Sequence, residues 1–345
     1  MTGTRPQLGG SGLLLALVAA STFGTSGTFA TSLSDAGWTT GAAVTARITV
    51  AALVLTIPAV IQLRRHWPTL RAHDPRVLRR SAGMVTVYGL VAVAACQLAY
   101  FNAVQRLNVG VALLLEYLGV ILVVLWMWLR HGQRPRRLTV IGSVGAMAGL
   151  VLVLDLTGSK SLDPIGVLWG LGAAVGLALF FILSGNAEEP LPPITMAWAG
   201  MAVGAVALLT LAAAGALPIE MHFVDVHLAG RSMSWLVPVL GLSVLAAAVS
   251  YIAGIGAARR LGARLASFVG LTEVLFAVLF AWLLLGQLPA RIQLVGGTLI
   301  VAGIALVRID ELRAPTTDDT ATPDRAMNEQ SRYVEPVPVG DVGRD

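Results

Sequence analysis

The chain has 345 residues, 56% of them apolar and only 12% charged, against soluble averages of roughly 45 to 50% and about 25%. That balance excludes an ordinary soluble domain and describes a polytopic membrane protein. The net charge of +5 follows membrane topology rather than a nucleic-acid-binding face, and the single cysteine, Cys96, offers neither a disulfide nor a thiolate metal cluster and reads as a small hydrophobe.

A membrane-spanning helix needs about 20 apolar residues, and ten stretches meet that requirement. In the first half they are 11–31, 38–62, 82–103, 108–129 and 138–155; in the second, 164–184, 193–216, 234–257, 263–285 and 290–308. The opening MTGTRPQLGG followed by LLLALVAA has the outline of a signal peptide, with Arg5 as its charged region. Residues 12–27 recur at 166–181 inside the second half, however, so this stretch is a working first helix.

The recurrence runs through the chain at an offset of 154 residues. Gly12, Leu17, Ala19 and Ala20 return as Gly166, Leu171, Ala173 and Ala174, and Ala103, Arg106 and Leu107 as Ala257, Arg260 and Leu261. The best-kept block, Gly132, Gln133, Pro135, Arg137, Gly142, Ala148 and Gly149, returns as Gly286, Gln287, Pro289, Arg291, Gly296, Ala302 and Gly303. Chance similarity between Ala/Leu/Val-rich helices does not hold register through Gln, Pro and Arg. Each copy carries an odd number of spans, which forces the copies through the bilayer in opposite directions. That is the architecture of secondary transporters, whose substrate site lies near the midplane where the halves meet.

The predicted fold is an all-α integral membrane protein with ten transmembrane helices in two inverted five-helix repeats, residues 11–157 and 164–308. Residues 1–10 are a cytoplasmic N-terminus. Residues 314–345, rich in Thr, Asp, Pro and Glu without apolar periodicity, are a disordered cytoplasmic tail. With the N-terminus inside, 14 basic residues fall in inner segments before the tail is counted, and four (Arg106, Lys160, Arg231 and Arg291) fall in outer loops. The positive-inside rule therefore places both termini in the cytoplasm. Small residues spaced by four, as at Gly145 and Gly149 or Gly200 and Gly204, permit close helix packing.

Ionisable groups well inside the spans are few: Arg47, Glu116 and Glu273. Each is costly in hydrocarbon and is a functional-site candidate for that reason. Glu273 lies about ten residues into the ninth span, roughly 15 Å deep in a core about 30 Å thick. By the offset, Glu116 maps to Gly270 and Glu273 to Gly119, so the carboxylates sit one turn apart on equivalent helices. Both are candidates for substrate contact or proton coupling; the structural alternative has them pinning helices, protonated or paired with Arg47. Arg47 maps to Met201, has no twin, and reads as a structural buried charge needing a fixed partner. Tyr88, Gln97, Tyr100, Asn102 and Tyr251 are candidate cavity residues, with interhelical hydrogen bonding as the alternative.

Nothing in the sequence supports catalysis. Gly24, Thr25, Ser26 and Gly27 spell the Gly-x-Ser-Gly motif seen around the nucleophile of rhomboid-type intramembrane proteases, but His66, His73, His131, His222 and His227 all fall in loops or helix ends, away from a base's position. An intramembrane serine hydrolase at Ser26 and a non-transporting scaffold acting through the tail are the competing readings.

Two five-helix halves, each ending in a stretch like WLLLGQLPARIQLVGGTLIVAGIALV (282–307) or WLRHGQRPRRLTVIGSVGAMAGLVLV (128–153), resemble EamA-type members of the drug/metabolite transporter superfamily. The segment NVGVALLLEYLG (108–119), with Glu116, is similar to the fourth helix of the threonine and homoserine exporter branch. The resemblance implies a cavity formed largely by helices 1, 3, 4, 6, 8 and 9, no cofactor or metal, and export of small metabolites, amino acids or amphipathic drugs across the inner membrane. Lipid, a small-molecule substrate and protons are the expected partners.

Overall fold

The computed structural model describes residues 8–107, 109–154, 163–186, 190–228, 230–286 and 288–313; the tail 314–345 lies outside them. Helix α1 is Leu8–Gly24 continued, after a turn at Thr25, as Ser26–Asp35. It is followed by α2 (Thr40–Arg71), α3 (Pro75–Arg106), α4 (Val109–His131) and α5 (Arg137–Val153). The second half contains α6 (Pro164–Ser184) and α7 (Pro193–Ala213), then an antiparallel hairpin of β1 (Val226–Leu228) and β2 (Arg231–Met233). Helical structure resumes at Leu236 and is broken at Gly262, whose φ of 80° and ψ of 158° suit only a residue without a Cβ. That break separates α8 from α9, which runs on through Thr272–Leu285; α10 is Arg291–Leu312.

Ten helices thus stand where ten spans were predicted, and several are longer than their apolar stretches. α2 reaches Arg71 and α3 starts at Pro75, because a helix continues beyond hydrocarbon while Arg64, Arg65 and Arg71 carry their charges outward. The hairpin has no counterpart in the sequence reading. It arises in the loop between α7 and α8, where the first half has only the short connection from α2 to α3.

Both α3 and α8 contain π-helical turns, at Tyr88–Ala95 and Gly241–Val249. Shifted by the repeat offset, the two stretches nearly coincide. Such turns loosen the regular carbonyl-to-amide ladder and cluster at functional sites.

The inversion is written in the contacts. Helix α1 lies along α8 as α6 lies along α3. Gly12 meets Leu261 and Arg260, while its repeat partner Gly166 meets Leu107 and Arg106. Helices α5 and α10 lie against each other, and a Cβ added at Gly149, Gly296 or Gly303 would stand 2.5 Å from the opposing glycine carbonyl oxygen. Gly149 faces Gly296 and Gly142 faces Gly303, so each glycine meets the repeat equivalent of the other, as a two-fold axis between the helices requires. The seam recurs every seven residues. For that reason Gly142, rather than the predicted Gly145, is the companion of Gly149; Gly145 faces open space.

This seam is fastened at both ends. Buried Asp310 accepts hydrogen bonds from the Thr139 amide (3.2 Å) and hydroxyl (2.5 Å), capping the first turn of α5 from another helix. At the opposite end Gln293 Nε2 donates to the Val153 carbonyl (3.0 Å). Large apolar side chains such as Ile57, Leu129 and Leu168 remain on the outer surface, as expected of a protein whose solvent is lipid.

Replacing Gly149 by Val forces the seam apart and is expected to cost on the order of 1–3 kcal/mol, whereas Gly145→Val is tolerated. The yield and melting temperature of monodisperse protein in detergent check this; equal behaviour of the two variants would refute the seam.

Candidate functional site

A cavity of about 450 Å³ lies between the halves, walled by α1, α2, α3, α4, α6, α8 and α9. Six of these helices are those the family resemblance implied, and α2 joins them through Thr40 and Arg47. Small residues on α1, α8 and α9, among them Ala16, Ala20, Ala257 and Ala266, keep the space open.

The cavity reaches the hairpin end of the molecule, where its lining residues Thr31 and Ser34 are exposed. There the α1–α2 turn is strapped to the α7–α8 loop. Trp38 Nε1 donates to the His222 carbonyl (2.7 Å) and the Thr39 amide to the Glu220 carbonyl (3.1 Å). On the same end Arg106 bridges to Asp163 at 3.3 Å. The Ile165 amide, followed by Arg106, holds the Asp163 carboxyl below the usual carboxylate range. At the opposite end Arg264 Nη2 donates to Gln133 Oε1 (2.6 Å) and Arg259 Nη1 to the Leu191 carbonyl (2.6 Å). These bonds tie α8 and α9 to the loops after α4 and α6.

The three intramembrane charges, Arg47, Glu116 and Glu273, all line this cavity. Glu116 Oε1 lies 3.7 Å from the Cys96 thiol, which also stands 3.5 Å from the Ala173 carbonyl. Tyr117 neighbours Glu273. Gln97, Tyr100 and Tyr251 line the cavity as well, with the hydroxyls of Ser26, Thr31, Ser34, Thr40 and Ser250. Arg47 is 4% exposed and its guanidinium sits over the Phe23 ring, 4.6 Å from the centroid. Nη1 donates to Ser26 Oγ (3.2 Å), and Nη2 donates to the Ala246 carbonyl (2.7 Å) within the π turns of α8. The fixed partners of Arg47 are therefore a hydroxyl and a carbonyl, with no carboxylate oxygen of the described residues within 4.0 Å.

Two predicted cavity residues lie elsewhere. Tyr88 is fully buried behind Phe180, whose ring stands between it and Tyr251. Its hydroxyl neighbours that of Ser184 without a hydrogen bond of ordinary geometry to any described residue. Asn102 turns its amide onto the Leu98 carbonyl of its own helix (2.7 Å). Asn102 lies on the same regular stretch of α3 as Gln97 and Tyr100 but on another face, and Tyr88 lies across the π turns at Tyr88–Ala95 from them. Tyr117, Phe23 and Cys96 were missed as site residues. Adjacency to Glu116 was the available signal for Tyr117, whereas Phe23 gave none. Ser26, the residue of the hydrolase reading, accepts a hydrogen bond from Arg47, and no histidine among the described residues lines the cavity.

The chain matches the EamA-like transporter family over residues 10–155 and again over 164–309. The two matches begin 154 residues apart, from 10 to 164, which is the internal repeat offset. The chain belongs to the EamA-like transporter family. Among the relatives of this EamA-like chain is an uncharacterized transporter of Archaeoglobus fulgidus, 26% identical over 222 residues, 64% of this chain and 74% of that protein. An uncharacterized inner membrane transporter of Salmonella typhimurium, YicL, is 22% identical over 237 residues, 68% of this chain and 76% of the relative. A solved crystal structure superposes with a TM-score of 0.67 at 20% identity, covering 88% of this chain and 99% of its own, a likeness of fold. A multi-pass membrane transporter with a central cavity between inverted repeats is the result.

Because Tyr88 lies off the cavity with its hydroxyl short of a well-formed hydrogen bond, Tyr88→Phe is expected to raise stability by about 1 kcal/mol and to leave ligand binding unchanged. Thermal melting in detergent with and without ligand reads both, and a loss of binding would place Tyr88 back in the site.

Proposed function

We propose that this protein exports small amine-bearing metabolites, amino acids or amphipathic cationic drugs, across the inner membrane by alternating access, with protons as the coupling ion. One observation carries the reading. Glu116 and Glu273 face a single cavity and no basic nitrogen among the described residues lies within 4.0 Å of either.

A carboxylate shut away from water needs a cation, and either a proton or an ammonium group serves. Competition between the two for the same carboxylates couples their movements in opposite directions. In a state open to the outside, the amine leaves and protons take its place; the carrier then returns protonated. Released inside, those protons vacate the carboxylates for the next amine. An acidic exterior drives export under this scheme.

The orientation rests on the 14 basic residues in inner segments against four in outer loops. It puts both termini in the cytoplasm and the hairpin outside, so the state described is the one that faces outward. In a Cys96→Ala background, a cysteine at Asp163 is expected to react with an impermeant maleimide from outside and one at Arg76 only from the cytoplasm. The reverse pattern would invert the assignment.

Purified protein in proteoliposomes, offered amino acids, nucleosides and cationic drugs, tests transport; absence of flux for every class would sink it. Glu273→Gln, which keeps size and hydrogen bonding but cannot titrate, is expected to retain substrate binding and lose at least about tenfold of the flux driven by a pH gradient. Wild-type flux that ignores the gradient would remove the proton from the mechanism.

A further inference from the structure

Arg47 is the group that the carboxylate scheme leaves unused. It is buried, it lines the cavity, and its repeat position is Met201, so the two-fold architecture does not call for it. A guanidinium has five N–H donors. Two are engaged, by Ser26 and Ala246; of the other three, for which the described residues supply no acceptor, Nε is sealed off from the cavity, and the second hydrogens of Nη1 and Nη2 remain for a ligand. Phe23 covers one face, so an incoming group meets the planar edge, the geometry by which guanidinium binds a carboxylate. The engaged donors fix that edge in place before any ligand arrives.

The second charge lies close by along the chain path. The Glu273 carbonyl backs onto Gly24, where an added Cβ would stand 3.1 Å away, and Ser26, which holds Arg47, is two residues further along α1. The turn at Thr25 lies between them. Arg47 and Glu273 therefore flank the break in α1 and face the same space. A purely amine-selective cavity has no use for a cation in its wall, which repels the cargo.

We propose that Arg47 is a specificity-determining residue that takes an anionic group carried by the substrate itself, so that the cavity selects molecules bearing a carboxylate together with an amine. The carboxylate lies against Arg47, Ser26 and the edge of Phe23, and the ammonium group against Glu273 and Glu116. The side chain occupies the volume left by the alanines of α1, α8 and α9. This inference deepens the transport reading and rests on it.

The test compares matched ligands on the full-length protein in nanodiscs by isothermal titration: L-leucine and L-phenylalanine against isoamylamine and phenethylamine, which lack only the carboxylate. Wild type is expected to bind an amino acid at least about tenfold more tightly than its matched amine. Arg47→Gln erases that ratio by weakening the amino acid, while the amine, relieved of the cation's repulsion, binds no less tightly than before. Arg47→Lys, which keeps the charge without the planar fork, retains part of it. Equal wild-type binding of acid and amine overturns the assignment while leaving amine export standing, and this comparison needs no variant. A ratio that survives in folded Arg47→Gln or is unaffected by Arg47→Lys also overturns it. Binding of neither ligand class by wild type overturns this assignment, while the transport reading stands or falls on the flux measurement across all substrate classes.

Discussion

Hydrocarbon gives apolar helices no reward for leaving it, so this protein is assembled by close backbone approach at small residues. The α5–α10 seam shows the constraint in its plainest form. Four glycines bring two carbonyl ladders into contact, and the 2.5 Å clearances leave no room for a methyl group. Because the contact joins equivalent helices of the two repeats, it also fixes the axis about which the halves are arranged. Asp310 and Gln293 then supply, from the partner helix, hydrogen bonds that the ends of α5 lack.

The same economy of side-chain volume makes the cavity. Where α1, α8 and α9 approach one another through Ala and Gly they leave space rather than a filled core, lined by aromatic and polar side chains together with Leu113 and Leu177. Irregular backbone lies beside that space. The turn at Thr25 and the π turns of α3 border it, and the Ala246 carbonyl within the π turns of α8 accepts from Arg47. Non-helical backbone inside a membrane is tolerated where it is buried in protein or lines a cavity.

Three charges in one low-dielectric chamber constrain one another more strongly than any exposed pair does. None of the three is within ion-pairing distance of another. The charges of the chamber are therefore spread along its wall and do not neutralise one another as ion pairs. Its far end is held by Arg264 with Gln133 and by Arg259 with Leu191 and Met196.

The sequence by itself determined the membrane setting, the ten spans, the repeat offset and its inversion, because hydropathy and an odd span count act along the chain without reference to neighbours. It also picked out Glu116, Glu273 and Arg47, since an ionisable residue deep in a span is rare enough to stand out alone. Only the tertiary structure decided which of the polar candidates share a cavity. Tyr88 and Asn102 lie off it, while Tyr117 and Phe23 line it, because the face a helix turns to the cavity is set by the helices packed around it, which residue types along one span do not record. The partners of Arg47 were hidden for a further reason. A hydroxyl 21 residues away and a main-chain carbonyl 199 residues away carry no sequence signal, since any residue type can offer the carbonyl and only the folded distance selects it.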